Sequence, residues 1–272
     1  MEERRVHAMY FSATGTTKKV VLAAAGRIAR AWGCELREED FTLPLGRENP
    51  PGFGPGDLVV FGVPVYAGRV PNVLLKYIRA VSGGGALAVP VVCYGNRDFD
   101  DALIELRDLL EADGFVTVAA GAFIGEHSFS RVLAAGRPDA ADIEKAEAFG
   151  ERVAALPEPA SEGRTPVGVR GCSPYRPYYV PKNRAGEPVS ILKDKPKVNE
   201  SCTNCGLCAS LCPMGSIVED NVREYRGICI KCGACVKGCP QQARYYDSYN
   251  YNYHKEELEL GYTRRAEPEL FF

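Results

Sequence analysis

Over residues 1–156, short apolar runs alternate with segments whose apolar residues recur every third or fourth position. Arg5–Ser12 is apolar on both faces, the pattern of a central parallel strand. Thr16–Trp32 follows, with Val21, Ala24, Ile28 and Ala31 at helical spacing. Glu35–Phe41 reads as a more polar strand. Asp57–Tyr66 and Ala86–Tyr94 read as continuous apolar strands, and Phe115–Phe123 as a fifth. Pro71–Val81, Phe99–Ala112 and Ala140–Leu156 read as helices, Pro71 suiting a first turn. Strands alternating with helices imply parallel crossovers and a three-layer α/β domain. Periodicity alone gives no strand order.

From Pro157 to Pro196 the pattern stops, and prolines, glycines and charges dominate. This stretch reads as an extended linker, docked through Tyr175, Tyr178 and Tyr179. A cysteine-rich unit occupies 197–247, and a tyrosine-dense tail occupies 248–272. The tail either packs back on the chain's own domains or forms a partner-docking surface, where aromatic residues are enriched. The length of 272 residues suits two domains, and 46% apolar content is that of a globular protein. No stretch approaches the roughly 20 apolar residues of a membrane span. The N-terminus, MEERRVHAMYF, carries no signal-peptide core. A cytoplasmic protein with reduced thiols is expected. The formal charge of −2 argues against a nucleic-acid partner.

The first strand ends in Ser12-Ala13-Thr14-Gly15-Thr16-Thr17, where a helix begins. A helix N-terminus offers N–H groups and a favourable dipole to a phosphate, and the hydroxyls can complete the shell. Ser and Thr are also ordinary N-caps, so on its own the motif is weak. It is neither G-x-G-x-x-G nor a Walker loop. The third strand ends in Pro64-Val65-Tyr66-Ala67-Gly68-Arg69 and the fourth in Tyr94-Gly95-Asn96-Arg97-Asp98, both rich in Gly and polar groups. In an open α/β sheet, ligands lie outside the carboxyl ends of such strands.

Eight of the eleven cysteines fall in two copies of C-x2-C-x2-C-x3-C-P. Cys202, Cys205, Cys208 and Cys212 are closed by Pro213; Cys229, Cys232, Cys235 and Cys239, each 27 positions later, are closed by Pro240. Two-residue gaps let a turning loop aim three sulfurs at one small cluster, while the fourth points away. Zinc sites need neither the third cysteine nor the proline. Disulfides do not suit a chain without a secretory signal.

The cysteine pattern resembles two-cluster bacterial ferredoxins, and residues 4–155 resemble the flavodoxin fold. Joined, the halves resemble the flavodoxin–ferredoxin fusion proteins of anaerobic bacteria and archaea. The resemblance implies a flavodoxin-like three-layer α/β domain with a parallel five-stranded sheet in the order 2-1-3-4-5. A small α+β two-cluster ferredoxin domain follows. It implies FMN, with Ser12–Thr17 on the phosphate and Tyr66–Arg69 and Tyr94–Asp98 flanking the isoalloxazine. It implies two 4Fe–4S clusters, one on Cys202, Cys205, Cys208 and Cys239, the other on Cys229, Cys232, Cys235 and Cys212. Tyr66 stands where small flavodoxins carry Trp; the only Trp is Trp32. Arg69 and Arg97 either favour a reduced flavin or are solvated loop residues. His127 either lies near the flavin or caps a loop. Cys34, Cys93 and Cys172 are left over, the first two expected as core thiols.

The function expected is a soluble iron–sulfur flavoprotein passing electrons to or from redox partner proteins, with homodimer formation possible in principle. The alternative is an FMN-dependent reductase of a quinone, nitro compound or enone, fed by the ferredoxin half. No catalytic residue is assigned. The ferredoxin half is expected to dock against the flavodoxin half of its own chain or of a second one.

Overall fold

The computed structural model describes residues 4–157 and 165–272. Residues 1–3 and 158–164, the opening of the expected linker, lie outside the described residues. The elements run β1 (Arg5–Tyr10), α1 (Thr16–Trp32), β2 (Leu36–Asp40), β3 (Asp57–Pro64), α2 (Leu75–Ile78), β4 (Leu87–Tyr94), α3 (Ala102–Ala112), β5 (Val116–Thr117), β6 (Ala120–Ile124) and α4 (Ala140–Ala154). Then follow β7 (Lys197–Val198), α5 (Leu207–Ser210), α6 (Ala234–Lys237), β8 (Arg244–Tyr245), α7 (Tyr249–Gly261) and β9 (Glu269–Phe271).

The main sheet runs β2-β1-β3-β4-β6 with every pairing parallel. This is the flavodoxin-like order 2-1-3-4-5, with β6 as fifth strand. Alternation along β1 explains the three layers. Val6, Ala8 and Tyr10 pack with Val20, Val21, Ala24 and Ile28 of α1 and Phe149 of α4. Met9 and Phe11 share the opposite core with Leu74, Ile78, Leu103, Leu106 and Leu110.

Three features depart from the sequence reading. The fifth strand is broken: Leu87 pairs with Val116 but Val91 pairs with Gly121, so one extra residue bulges out between them. The helix expected over Pro71–Val81 is a 3₁₀ turn, Asn72–Leu74, running into the single turn α2. Pro71 starts it, but no side chain caps it. The sheet also gains an antiparallel edge strand, β9, in which Ala120 pairs with Phe271 and Ala122 with Glu269. The tail therefore packs on its own chain. Ser248 caps α7, which buries Tyr251, His254 and Leu258.

Buried Arg137 locks this tail down. Its Nε donates to Asp142 Oδ2 at 2.8 Å and one Nη to the Ala266 carbonyl at 2.7 Å. Removing one partner of a buried ion pair strands the other's charge. Asp142→Ala is expected to destabilise the fold by about 3–5 kcal/mol. Urea denaturation checks this; a loss within error of zero would mean that Arg137 finds water or another acceptor.

The linker is docked through the expected tyrosines. Tyr175 Oη donates to Asp108 at 2.6 Å and Tyr178 Oη to the Val70 carbonyl at 2.9 Å. Tyr179 stacks on His254. Arg176 binds Asp101 at 2.6 Å and holds that buried carboxyl at about 2. Among the described residues, no helix is long and apolar enough to cross a membrane.

Candidate functional site

The turn from β1 into α1 is built as a cradle. Gly15 holds φ +82°, a left-handed conformation that costs glycine nothing. Ser12 Oγ accepts the Lys18 N–H at 3.0 Å, so this hydroxyl serves as a helix cap. Ala13, Thr14, Thr16 and Thr17 instead line a cavity of about 60 Å3, partly open to solvent. Thr17 Oγ1 is buried there without a hydrogen-bond partner. Beside it burial pushes the Cys93 thiol up to about 12, against a downward pull from the Thr17 hydroxyl. A buried orphan hydroxyl at the N-terminus of a 17-residue helix fits a phosphate oxygen.

The same cavity is lined by Pro64, Val65 and Tyr66 after β3, by Cys93, Tyr94 and Gly95 at the end of β4, and by Gly125, Glu126, His127 and Ser128 after β6. Ser12, Gly15, Ala67, Gly68, Arg69, Asn96, Arg97 and Asp98 are not among its lining residues. Ala67 and Gly68 form a tight turn, its ends joined by Tyr66 and Arg69. The linker covers that turn, the Tyr179 N–H donating to the Ala67 carbonyl at 2.9 Å. Arg69 is neither solvated nor at the cavity. It binds buried Glu105 through two nitrogens, at 2.8 and 2.7 Å, and lies against the rings of Tyr175 and Tyr178. Asn96 Nδ2 donates to the carbonyls of Tyr262 and Arg264, both at 2.7 Å, which ties this loop to the tail. Arg97 pairs with Asp100 and lies over Tyr179, and Asp98 binds Arg170 at 2.8 Å. These residues clamp the loops from outside.

The cysteine-rich unit repeats its backbone at the spacing of its sulfurs. Positive φ recurs at Asn204 and Lys231, at Gly206 and Gly233, and at Gly215 and Gln242, each pair 27 apart. The one-turn helices α5 and α6 follow Gly206 and Gly233. The Ser216 N–H donates to Cys212 Sγ at 3.4 Å, and the Ala243 N–H to Cys239 Sγ at 3.3 Å. Amide donors to sulfur favour thiolate and tune a cluster's potential. Among the described residues, no three Cys, His, Asp or Glu side chains gather tightly enough to hold a single metal ion. Instead, Cys202, Cys205, Cys208 and Cys239 border one small cavity together. Burial pushes the Cys232 and Cys235 thiols up to about 12, and nearby Cys229 and Cys212 add to both shifts. The cavity at Cys202 thus takes three sulfurs from one run and its fourth, Cys239, from the other.

The expected docking of the ferredoxin half occurs within the one chain, but the residues that make the junction were not read from the sequence. Cys232 lines the same cavity as the Thr14–Thr17 cradle. Lys237 of α6 binds Glu126 and donates to the His127 carbonyl at 2.7 Å, and Arg131 donates to the Val236 carbonyl at 3.1 Å. Arg47 donates to the Pro213 carbonyl. Burial, then Cys232 and Cys229, raise the Tyr66 hydroxyl well above its ordinary value. His127 and Ser128 were within reach of sequence logic, because they follow a strand at the same sheet edge.

The fold and the cysteine sites together define a flavodoxin-like α/β unit joined to an iron–sulfur domain. A family model described as a 4Fe-4S dicluster domain matches residues 201–244. No curated protein matches the chain. Among solved structures, the α/β half is similar to a flavodoxin from the domain Archaea, with 14% identity, 55% of this chain and 96% of that chain covered, and a TM-score of 0.40. It is also similar to the Streptococcus pneumonia TIGR4 flavodoxin, at 16% identity over 56% of this chain and 98% of that one, TM-score 0.39. The Megasphaera elsdenii flavodoxin gives 13% identity over 56% and 99%, TM-score 0.39. The flavodoxin-like assignment rests on the strand order alone.

Proposed function

We propose that this chain is an electron carrier that holds one FMN and two 4Fe–4S clusters and exchanges electrons with redox partner proteins. FMN takes one or two electrons and a cubane takes one, so the set joins single-electron flow to two-electron chemistry. Thr14, Thr16 and Thr17 hold the phosphate, and Tyr66, Tyr94 and Gly95 flank the ring system. Cys202, Cys205, Cys208 and Cys239 hold one cluster; Cys212, Cys229, Cys232 and Cys235 hold the other.

One observation carries the reading: Cys232 lines the same cavity as Thr14, Thr16 and Thr17. A ligand of one metal site thereby borders the flavin site directly. The inner cluster is the one that exchanges electrons with the flavin. The outer cluster, whose Cys205 is exposed, is the port for partner proteins. The linker and tail occupy the outer faces of the two flavin-flanking loops, which favours a carrier over a reductase of small acceptors.

Protein purified without oxygen is expected to contain about eight iron, about eight labile sulfides and one FMN. Once reduced, it should pass electrons faster to redox proteins than to quinones or nitro compounds. Stoichiometric zinc without sulfide, or FAD in place of FMN, would sink the cofactor assignment. Rapid turnover with a small acceptor would support the reductase instead.

A further inference from the structure

His127 is the one imidazole in the wall of the FMN cavity described above. Its Nδ1 accepts the Phe129 N–H at 3.1 Å. A nitrogen that accepts carries no proton, so the neutral ring bears its hydrogen on Nε2. The opposite ring edge is turned toward Gly95, another cavity residue. A Cβ added at Gly95 would overlap His127 Cδ2, the atom next to Nε2. No hydrogen bond joins Nε2 to any described residue, and Nε2 is not among the sealed, unpartnered atoms. The ring is held edge-on by Phe129 at 5.2 Å, which in turn packs on Tyr251 of the tail at 4.6 Å. Burial, reinforced by His254, Lys237 and Arg97, pushes the imidazole down to about 3, with Glu259 pulling the other way. The group is therefore a fixed, uncharged N–H with no acceptor among the described residues.

We infer that His127 Nε2–H donates a hydrogen bond to a carbonyl oxygen or N1 of the isoalloxazine, and so sets the flavin's reduction potential. The inference rests on the FMN reading. A ring acceptor gains electron density on reduction, so a donor there binds the reduced form more strongly than the oxidised form. His127 thereby acts as a binding residue that tunes the flavin without delivering a proton. His127→Phe keeps an aromatic ring and removes the donor; His127→Gln keeps a neutral N–H.

The test is an anaerobic titration of the full chain, with and without these substitutions, reading FMN affinity and flavin potential. Cluster absorbance is followed in the same samples. His127→Phe should weaken binding of reduced FMN about tenfold more than that of oxidised FMN, a potential lower by about 30 mV. His127→Gln should recover at least half of that difference, and the cluster spectrum should be unchanged in both. A His127→Phe protein with FMN bound at unchanged potential overturns the inference and leaves the FMN reading intact. Equal loss of both redox forms, unrescued by glutamine, also overturns it, since it marks a packing role. Failure of the unsubstituted chain to bind FMN refutes the FMN reading itself.

Discussion

Replacing Cys239 with alanine is expected to empty the cluster site bordered by Cys202, Cys205 and Cys208, although Cys239 closes the other cysteine run. Those four sulfurs line one cavity, while Cys212 lies close enough to Cys232 and Cys235 to raise both thiols. A cubane with three thiolates is labile, so iron should fall from about eight to about four per chain. The inner cluster should persist, and FMN content should not change. Cys212→Ala should do the reverse, removing the cluster nearest the flavin and slowing flavin reduction by partner proteins. Iron analysis and EPR of the two variants check the assignment. Selective loss of the Cys229–Cys235 site in Cys239→Ala would show that each run serves its own cluster. The Ala243 N–H, which donates to Cys239 Sγ, loses its acceptor in the variant and adds a smaller local cost.

The second large effect is expected at Gly15. A β-branched residue at φ +82° is strained by about 1–3 kcal/mol. The loop can relieve that strain only by turning back to negative φ, which swings the N–H groups of the first helical turn away from the cavity. Gly15→Val should weaken FMN binding at least about tenfold, each 1.4 kcal/mol being a factor of about ten. The clusters should stay intact. Gly33→Val is the matched control: Gly33 sits at the far end of the same helix with φ +64° and open space around its Cα. It should cost stability with no effect on FMN. Fluorescence titration with FMN separates the two, and equal affinities in both variants would reduce the cradle to a helix cap.

The cluster half was legible because its chemistry is local. Thiolate spacing, the glycine after each second cysteine and the closing proline lie within a dozen residues of one another. The repeat at 27 returns in the backbone angles because both runs meet the same steric demand. The strands and long helices of the α/β half were also legible, since burial on both faces writes a continuous apolar run and burial on one face writes a helical stripe. Boundaries shifted where a bulge or a missing cap intervened, as at β5–β6 and α2.

The tail was not legible. β9 is three residues with no alternation, and it becomes a strand only because β6 offers an unpaired edge some 150 positions earlier in the chain. α7 is rich in Tyr, Asn and His, which favour helix weakly, and its apolar stripe is narrow. Its Ser248 cap was a readable start signal; its stability comes from packing against Phe129 and Tyr246.

At the candidate site the division is similar. The sequence by itself determined which residues can hold a phosphate and which sulfurs can hold iron, because both depend on side-chain type and on backbone turns a few residues long. Tertiary structure alone decided that Cys232 meets the cradle, that Arg69 and Arg97 brace loops from outside, and that His127 lines the cavity with Nδ1 held by the Phe129 N–H. The first depends on how two separately folding patterns pack against each other, the others on how loops, linker and tail meet around one sheet edge. Contacts between residues more than 100 positions apart leave no periodicity to read, and they form only when burying the junction outweighs the cost of ordering the linker and tail.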